Sequence, residues 1–444
     1  MHFNIRKAAV IAVACAFAYA LAPSSFRAEA KPAKSAAPGW YASWTASPFD
    51  VRTLPPKIFA PSVDTLSNQT VRQIITISRG GSQVRVRFSN EFGKTALHIG
   101  AAALGYSPSK GGPVQRTALT FGGASSASVS AEAPLVSDPI SLRLPDRAEL
   151  EISIYLPDQT PVSTIHLLGL QPSTISGPGN YAMADALPGS VPFEIVEQQH
   201  GTKFPARLII SEVDLAGAAP ARTVVAFGDS ITDGMGSTFD MSRRWPDDLE
   251  RRIVQAKLNL AVINQGIGGN QILANGLGVS ALARFDRDVL AVPGASTVII
   301  LEGINDIGFS GGMVPGFSRP DIIPAEEIIQ GYRQLIARTH AHGLRIIGAT
   351  MTPFAGSPAF TPEKEAVRQA VNDWIRTSRA FDAVVDFDLV ARDPQHPEKV
   401  KTEYDAGDHI HLNDAGYEAM AAAVPLSALA RSHAKTVKRA RHHR

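Results

Sequence analysis

Two rhythms of apolar and polar residues divide the chain. From Trp40 to about Leu215 the apolar positions recur every second residue. Val84, Val86 and Phe88 alternate with Arg85 and Arg87, and Leu150, Ile152, Ile154 and Leu156 alternate with Glu151, Ser153 and Tyr155. A period of two sends successive side chains to opposite faces, so these runs predict strands with one buried face. Gly80-Gly81, Gly122-Gly123 and Pro145-Asp146 supply turn signals between them. No long helical period interrupts the stretch. Residues 40–215 are therefore expected to form an all-β sandwich of jelly-roll-like type.

After a short hinge at 216–221 the rhythm changes. Val224–Phe227, Ala261–Ile263, Thr297–Leu301, Arg345–Ala349 and Ala383–Val385 are apolar runs of strand length. Helical patterns lie between them, at about Trp245–Ala256, Val279–Leu290, Pro324–His342 and Pro362–Arg376, and a last helix follows Asn413. Strands that read apolar throughout are buried on both faces, as in a parallel sheet between two helical layers. Residues 222–430 are expected to form such an α/β domain.

Length and composition add boundaries. A chain of 444 residues has room for two or three domains with large cores. Arg6 and Lys7, the uncharged apolar stretch Ala8–Ala22 and the small-x-small triplet Ala28-Glu29-Ala30 predict a secretory leader over 1–30. The stretch is too short and too alanine-rich for a membrane span, so none is expected once the leader is cleaved. Residues 31–39, rich in Ala, Pro and Ser, read as a linker. The single cysteine, Cys15, falls inside the leader. The mature chain is then expected to hold no disulfide, no cysteine nucleophile and no cysteine metal site.

The formal net charge of +2 is carried by the ends. The tail 431–444 holds six Lys and Arg and no acid, and is expected to be disordered. Between 31 and 430 the chain is acidic, with 34 Lys and Arg against 40 Asp and Glu. That balance argues against a nucleic-acid partner. No Walker loop is present and no G-x-G-x-x-G follows the first strand of the second domain, so no nucleotide cofactor is expected. His340, His342 and His396 lack metal-ligand spacing.

The candidate chemistry begins at the end of the first parallel strand. Val224–Phe227 is broken by Gly228, and Asp229 and Ser230 follow at once. Open α/β sheets place ligands at the carboxyl ends of their strands. Taken alone, Gly-Asp-Ser is an ordinary strand-to-helix turn. Three further signals follow later strands: Gly266-Ile267-Gly268-Gly269-Asn270, then Gly303-Ile304-Asn305-Asp306, then Asp408-His409-Ile410-His411 before Asn413. A serine hydroxyl needs an adjacent base to attack a carbonyl, and histidine suits that task. A carboxylate orients the imidazole, and an oxyanion needs donors such as a backbone N–H or an asparagine amide.

Phe227-Gly228-Asp229-Ser230, Gly269, Gly303-x-Asn305-Asp306 and Asp408-x-x-His411 together resemble the four blocks of the SGNH, or GDSL, hydrolases. The resemblance spans about residues 222–430. It implies a flavodoxin-like sheet, Ser230 as nucleophile, His411 as base and Asp408 as the orienting acid. It implies an oxyanion hole from the N–H groups of Ser230 and Gly269 and the side chain of Asn305. It also implies no cofactor and no metal. The whole chain resembles secreted two-domain GDSL-type esterases with an N-terminal β domain.

Alternatives remain at this level. His409 competes with His411, although alternation in an extended segment would point it away. Gly266 or Gly268 could stand in for Gly269. Asn413 reads as a helix N-cap. Trp44, Ser89-Asn90-Glu91 and Gly177–Tyr181 are candidates for the contact between domains, and the Gly-rich loop Phe309–Arg319 is a candidate wall of the pocket. The expected activity is a secreted or periplasmic serine esterase acting on acetyl esters, with O-acetylated carbohydrate as substrate. The competing readings are a short-chain lipid or aryl esterase, and an envelope- or carbohydrate-binding protein with an inert hydrolase domain.

Overall fold

The structure is a computed structural model that describes residues 39–109, 111–217, 221–312 and 319–430. The expected leader, most of the linker and the basic tail lie outside these residues.

Seven parallel-strand residues, Arg222–Gly228, form the centre of the second half. They pair with Leu260–Gly266 on one side and Ala295–Leu301 on the other, and Arg345–Ala349 and Ala383–Val385 continue the sheet. All four pairings are parallel. In chain order the strands lie 2-1-3-4-5, the flavodoxin-like arrangement. The order in which strands are added to the sheet reverses between Arg222–Gly228 and Ala295–Leu301, and at that switch the crevice opens beyond the strand ends. The apolar runs are buried because helices cover both faces: Phe227, Val298, Ile299 and Ile347 share a core with Leu249, Tyr332, Leu335, Val371 and Tyr417. Most helices match the sequence pattern closely, as Ala325–Ala341 and Pro362–Thr377 do. The Val279–Leu290 pattern differs: it is α-helical only over Ala281–Phe285 and continues as a π turn over Asp286–Leu290.

The first half is a sandwich of two antiparallel sheets. One contains Tyr41–Thr45, Ile210–Ala216 and Gly81–Ser89; the other contains Ser173–Pro178, Gln69–Thr76, Glu149–Leu156 and Ala101–Tyr106. The alternating residues behave as their period requires: Val84, Val86 and Phe88 meet Leu150, Ile152 and Ile154 in one core. Two small three-stranded sheets hang on this body. One joins Phe49–Asp50, Thr164–His166 and Arg207–Leu208, the other Phe59–Pro61, Glu194–Glu197 and Lys203–Pro205.

The two halves pack as one compact unit. The sandwich covers the Leu260–Gly266 strand, an edge of the parallel sheet. Side chains satisfy its exposed backbone: Val262 N–H donates to Ser78 Oγ at 2.8 Å, and Thr45 Oγ1 donates to the Asn264 carbonyl at 2.7 Å. An edge strand left open would invite pairing with another chain. At the π turn, Ser47 Oγ donates to Asp288 Oδ2 at 2.5 Å and Arg287 Nη2 to the Pro48 carbonyl at 3.2 Å. Of the expected contact residues, Trp44 sits on the covering strand and Glu91 lies near Arg287. Asn90 instead ties loops within the sandwich through Thr95, Val129 and Ser130, and Tyr181 accepts from Arg72.

Candidate active site

Gly228 ends the central strand because nothing larger fits. A Cβ there would stand 2.2 Å from Thr232 Oγ1 and 2.5 Å from the Leu301 carbonyl. Asp229 then caps a one-turn helix, Ser230–Asp233, its Oδ1 accepting from Ile231 N–H at 2.9 Å. Ser230 is the first residue of that turn, 8% exposed. Its Oγ lies 2.7 Å from His411 Nε2, and His411 Nδ1 lies 2.6 Å from Asp408 Oδ2. A carboxylate only accepts, so Nδ1 carries the hydrogen and Nε2 presents its lone pair to the hydroxyl. Burial pushes the Asp408 carboxyl up, but the hydrogen bond and charge of His411 outweigh it and hold the group well below the usual carboxylate range. Asp408 also accepts from the backbone N–H of Ile410 and His411, which fixes the turn between acid and base.

His409 is not a competitor for that place. Its Nδ1 lies 2.6 Å from Asp405 Oδ2. The cause is not alternation along an extended segment: His409 has φ of 65°, a left-handed turn that swings its ring away from the hydroxyl. Asn413 caps the helix Asp414–Ala423 and accepts from Gly416 N–H.

The glycine alternatives separate by what their N–H groups already do. Gly266 donates to Asn264 Oδ1 at 2.8 Å, and Gly268 to Asp233 Oδ2 at 3.2 Å. Gly269 has no hydrogen-bond partner for its N–H among the described residues. It has φ of 75°, and a Cβ would press to 2.5 Å from Leu277 Cδ1. Asn305 spends one amide hydrogen on the Asn270 carbonyl at 2.9 Å. That bond orients the amide and leaves the second hydrogen to a ligand. Ser230, Gly269, Asn305 and His411 all line one cavity of about 250 Å³, with Gly308 and Phe309 at the start of the Gly-rich loop. Residues 313–318 of that loop lie outside the described residues.

The sequence reading passed over two sets of residues. Arg284 is fully buried and ties the strand ends together. It donates to the carbonyls of Gln265 at 2.7 Å and Gly228 at 2.9 Å, to Asn270 Oδ1 at 2.9 Å and to Asp288 at 3.0 Å, and it pairs with Glu302 at 3.3 Å. Asn270 is thereby held for Asn305. Nothing in the local pattern distinguishes this arginine from a surface residue of a helix. The second set comes from the sandwich: Phe59, Leu167, Leu168 and Phe204 line the same cavity as Ser230, and His166 bonds Asp233. Their distance in sequence from the motif blocks hides them.

Residues 226–419 match the family model of the GDSL-like lipases and acylhydrolases. The second half is a GDSL-like hydrolase domain. A lipase or acylhydrolase breaks a carboxylic ester, so the chain is a carboxylic ester hydrolase. Curated proteins offer no match to it. Solved structures resemble the GDSL-like half at low identity. The carbohydrate acetylesterase Est24 from Sinorhizobium meliloti is 17% identical, with 47% of this chain and 99% of that one covered and a TM-score of 0.36. The acetyl xylan esterase AlAXEase is 20% identical over 45% and 96% of the two chains, with a TM-score of 0.35. An aryl esterase from M. smegmatis is 16% identical over 45% and 95%, also at 0.35. Among the described residues no three His, Cys, Asp or Glu are grouped to hold a metal ion, and no helix is long and apolar enough to cross a membrane.

Proposed function

We propose that the protein is an exported serine esterase, secreted or periplasmic, that cleaves short-chain esters through an acyl-enzyme. One observation carries the reading: the Ser230 hydroxyl lies 2.7 Å from the unprotonated nitrogen of an imidazole whose other nitrogen is held by Asp408. Ser230 Oγ attacks the ester carbonyl as its proton passes to His411 Nε2. The oxyanion forms against the N–H groups of Ser230 and Gly269 and the amide of Asn305. Asp408 stabilises the imidazolium without taking its proton. The C–O bond to the alcohol breaks as Nε2 returns that proton to the leaving oxygen. Water then attacks the acyl-Ser230 ester by the same steps and frees the acid.

The expected acetyl esters of carbohydrate are compatible with this chemistry, and the sugar would occupy the alcohol side. An inert binding protein would have no reason to keep the hydroxyl, imidazole and carboxylate in reacting order. The test is p-nitrophenyl acetate hydrolysis. Ser230→Ala abolishes it while the circular dichroism spectrum is kept, and EDTA leaves the wild-type rate unchanged. A Ser230→Ala protein that hydrolyses the ester at the wild-type rate overturns the reading. A panel of acetylated xylan, pectin and chitin-like polymers assigns the alcohol.

A further inference from the structure

We infer that the cavity beside Ser230 is an apolar acyl pocket, sized for chains well beyond acetyl, and that the β sandwich sets its selectivity. The inference rests on the serine-esterase reading and names the acyl half of its substrate.

Among the described residues, every side chain lining the cavity apart from Ser230, Asn305 and His411 is apolar. The sandwich supplies one wall. Phe59 and Phe204 meet edge to face, ring centroids 6.1 Å apart, on the small sheet that pairs their strands with Glu194–Glu197. Leu167 and Leu168 follow the strand Thr164–His166, and Leu168 Cδ1 would lie 3.5 Å from a Cβ at Gly268, beside the oxyanion donor. The GDSL-like half supplies the opposite wall through Leu277, Ile304, Phe309 and Ala359.

A sugar ring placed here would lose water from its hydroxyls with no polar side chain among the described residues beyond Asn305 and the catalytic Ser230 and His411, and unpaired buried hydroxyls are costly. A hydrocarbon chain loses nothing and gains burial. A cavity of about 250 Å³ is much larger than a methyl group needs. An alkyl chain of several carbons therefore has room beside the reacting carbonyl. Ser230, Gly269, Asn305 and His411 all line the cavity, so the ester carbonyl sits at their end and the apolar remainder, walled by Phe59, Leu167, Phe204 and Phe309, takes the acyl chain.

The test is kcat/KM on p-nitrophenyl acetate, butyrate, hexanoate, octanoate and laurate. The expected profile rises about fourfold per added methylene, the gain of burying one such group, and levels off once the pocket is filled. Phe204→Ser lowers the octanoate-to-acetate ratio about tenfold or more. Gly308→Ala narrows the cavity from the other side: a Cβ at Gly308 meets only Ala359 Cβ, at an ordinary contact of 3.5 Å. It moves the optimum to shorter chains. A profile highest at acetate and falling with each carbon, or one that neither variant moves, overturns the inference. Calorimetric binding of octanoate and acetate to the Ser230→Ala protein reads the pocket without turnover. Octanoate is expected to bind at least tenfold tighter, and less so with Phe204→Ser added. Selective octanoate binding without hydrolysis of any ester would leave the pocket standing and remove the esterase reading. Equal or absent binding of the two acids overturns the pocket.

Discussion

His166 of the sandwich and Asp233 of the hydrolase half face each other across their junction, Nε2 to Oδ1 at 3.0 Å, with both side chains buried. The other ring nitrogen lies 3.1 Å from the Ser47 carbonyl, which only accepts, so Nδ1 carries a hydrogen. The second carboxyl oxygen of Asp233 accepts from Gly268 N–H, next to the oxyanion donor Gly269. The sandwich thus reaches the catalytic loop by a hydrogen bond from His166 as well as by the apolar contacts of Leu167 and Leu168.

His166→Phe removes both ring nitrogens and leaves Asp233 buried with one partner fewer. The loop carrying Gly269 loosens, and kcat falls about 10-fold to 100-fold, as for a donor displaced by a fraction of an ångström to one ångström. KM changes less, because Asp233 does not line the cavity. Steady-state kinetics on one p-nitrophenyl ester check this. An unchanged kcat with only a lowered melting temperature would make His166 a packing residue.

Asn305→Ala keeps the fold and lowers kcat about 10²-fold to 10³-fold, the usual loss for one oxyanion donor. Asp408→Asn lowers kcat as well, since the amide no longer holds the imidazole tautomer. Comparable kcat for Asn305→Ala and wild type would remove the amide from the reaction.

Arg284→Leu leaves Asp288 without its buried guanidinium partner from the helix and Glu302 without a cation partner among the described residues. Breaking such a buried cluster costs about 3–5 kcal/mol. Urea unfolding is expected to report a loss of that order, and a loss near zero would contradict the role given to this arginine.

Stability is expected to fall as pH rises from acid to neutral. Burial pushes the carboxyl of Asp306 up to about 6 and that of Asp229 up to about 7, and likewise Glu250 up to about 8. Each binds its proton more tightly folded than unfolded, where carboxyls titrate near pH 4. Their stabilisation is full below that value and is lost as pH climbs through the folded values. Asp408 acts in the opposite sense, but its contribution is complete once pH exceeds about 4. Calorimetric melting temperatures should therefore decline between about pH 5 and pH 8, and Asp229→Asn should flatten part of the slope. A steady rise over that range would contradict the burial of these acids.

Much of this arrangement is written locally. Val224–Phe227 and its four counterparts are apolar because both faces of the parallel sheet are covered, so a short window of sequence reveals them. Gly228 and Gly269 are legible for a related reason: close contacts with Thr232, Leu301 and Leu277 admit only glycine. The π turn at Asp286–Leu290 was not legible, because its bonds go to Ser47 and Pro48 some 240 positions away. Arg284 was hidden likewise: a buried arginine and an exposed one look alike in a helical pattern, and only the convergence of three strand ends explains it. The sandwich wall of the cavity depends on how two halves dock, which no period encodes.

The central claim is that Ser230 becomes acylated. The most direct measurement is intact-protein mass spectrometry after exposure to a fluorophosphonate, followed by peptide mapping. The account predicts one adduct per chain, placed on Ser230, formed slowly in His411→Ala and absent from Ser230→Ala. An adduct on another residue, with ester hydrolysis retained by Ser230→Ala, would contradict it.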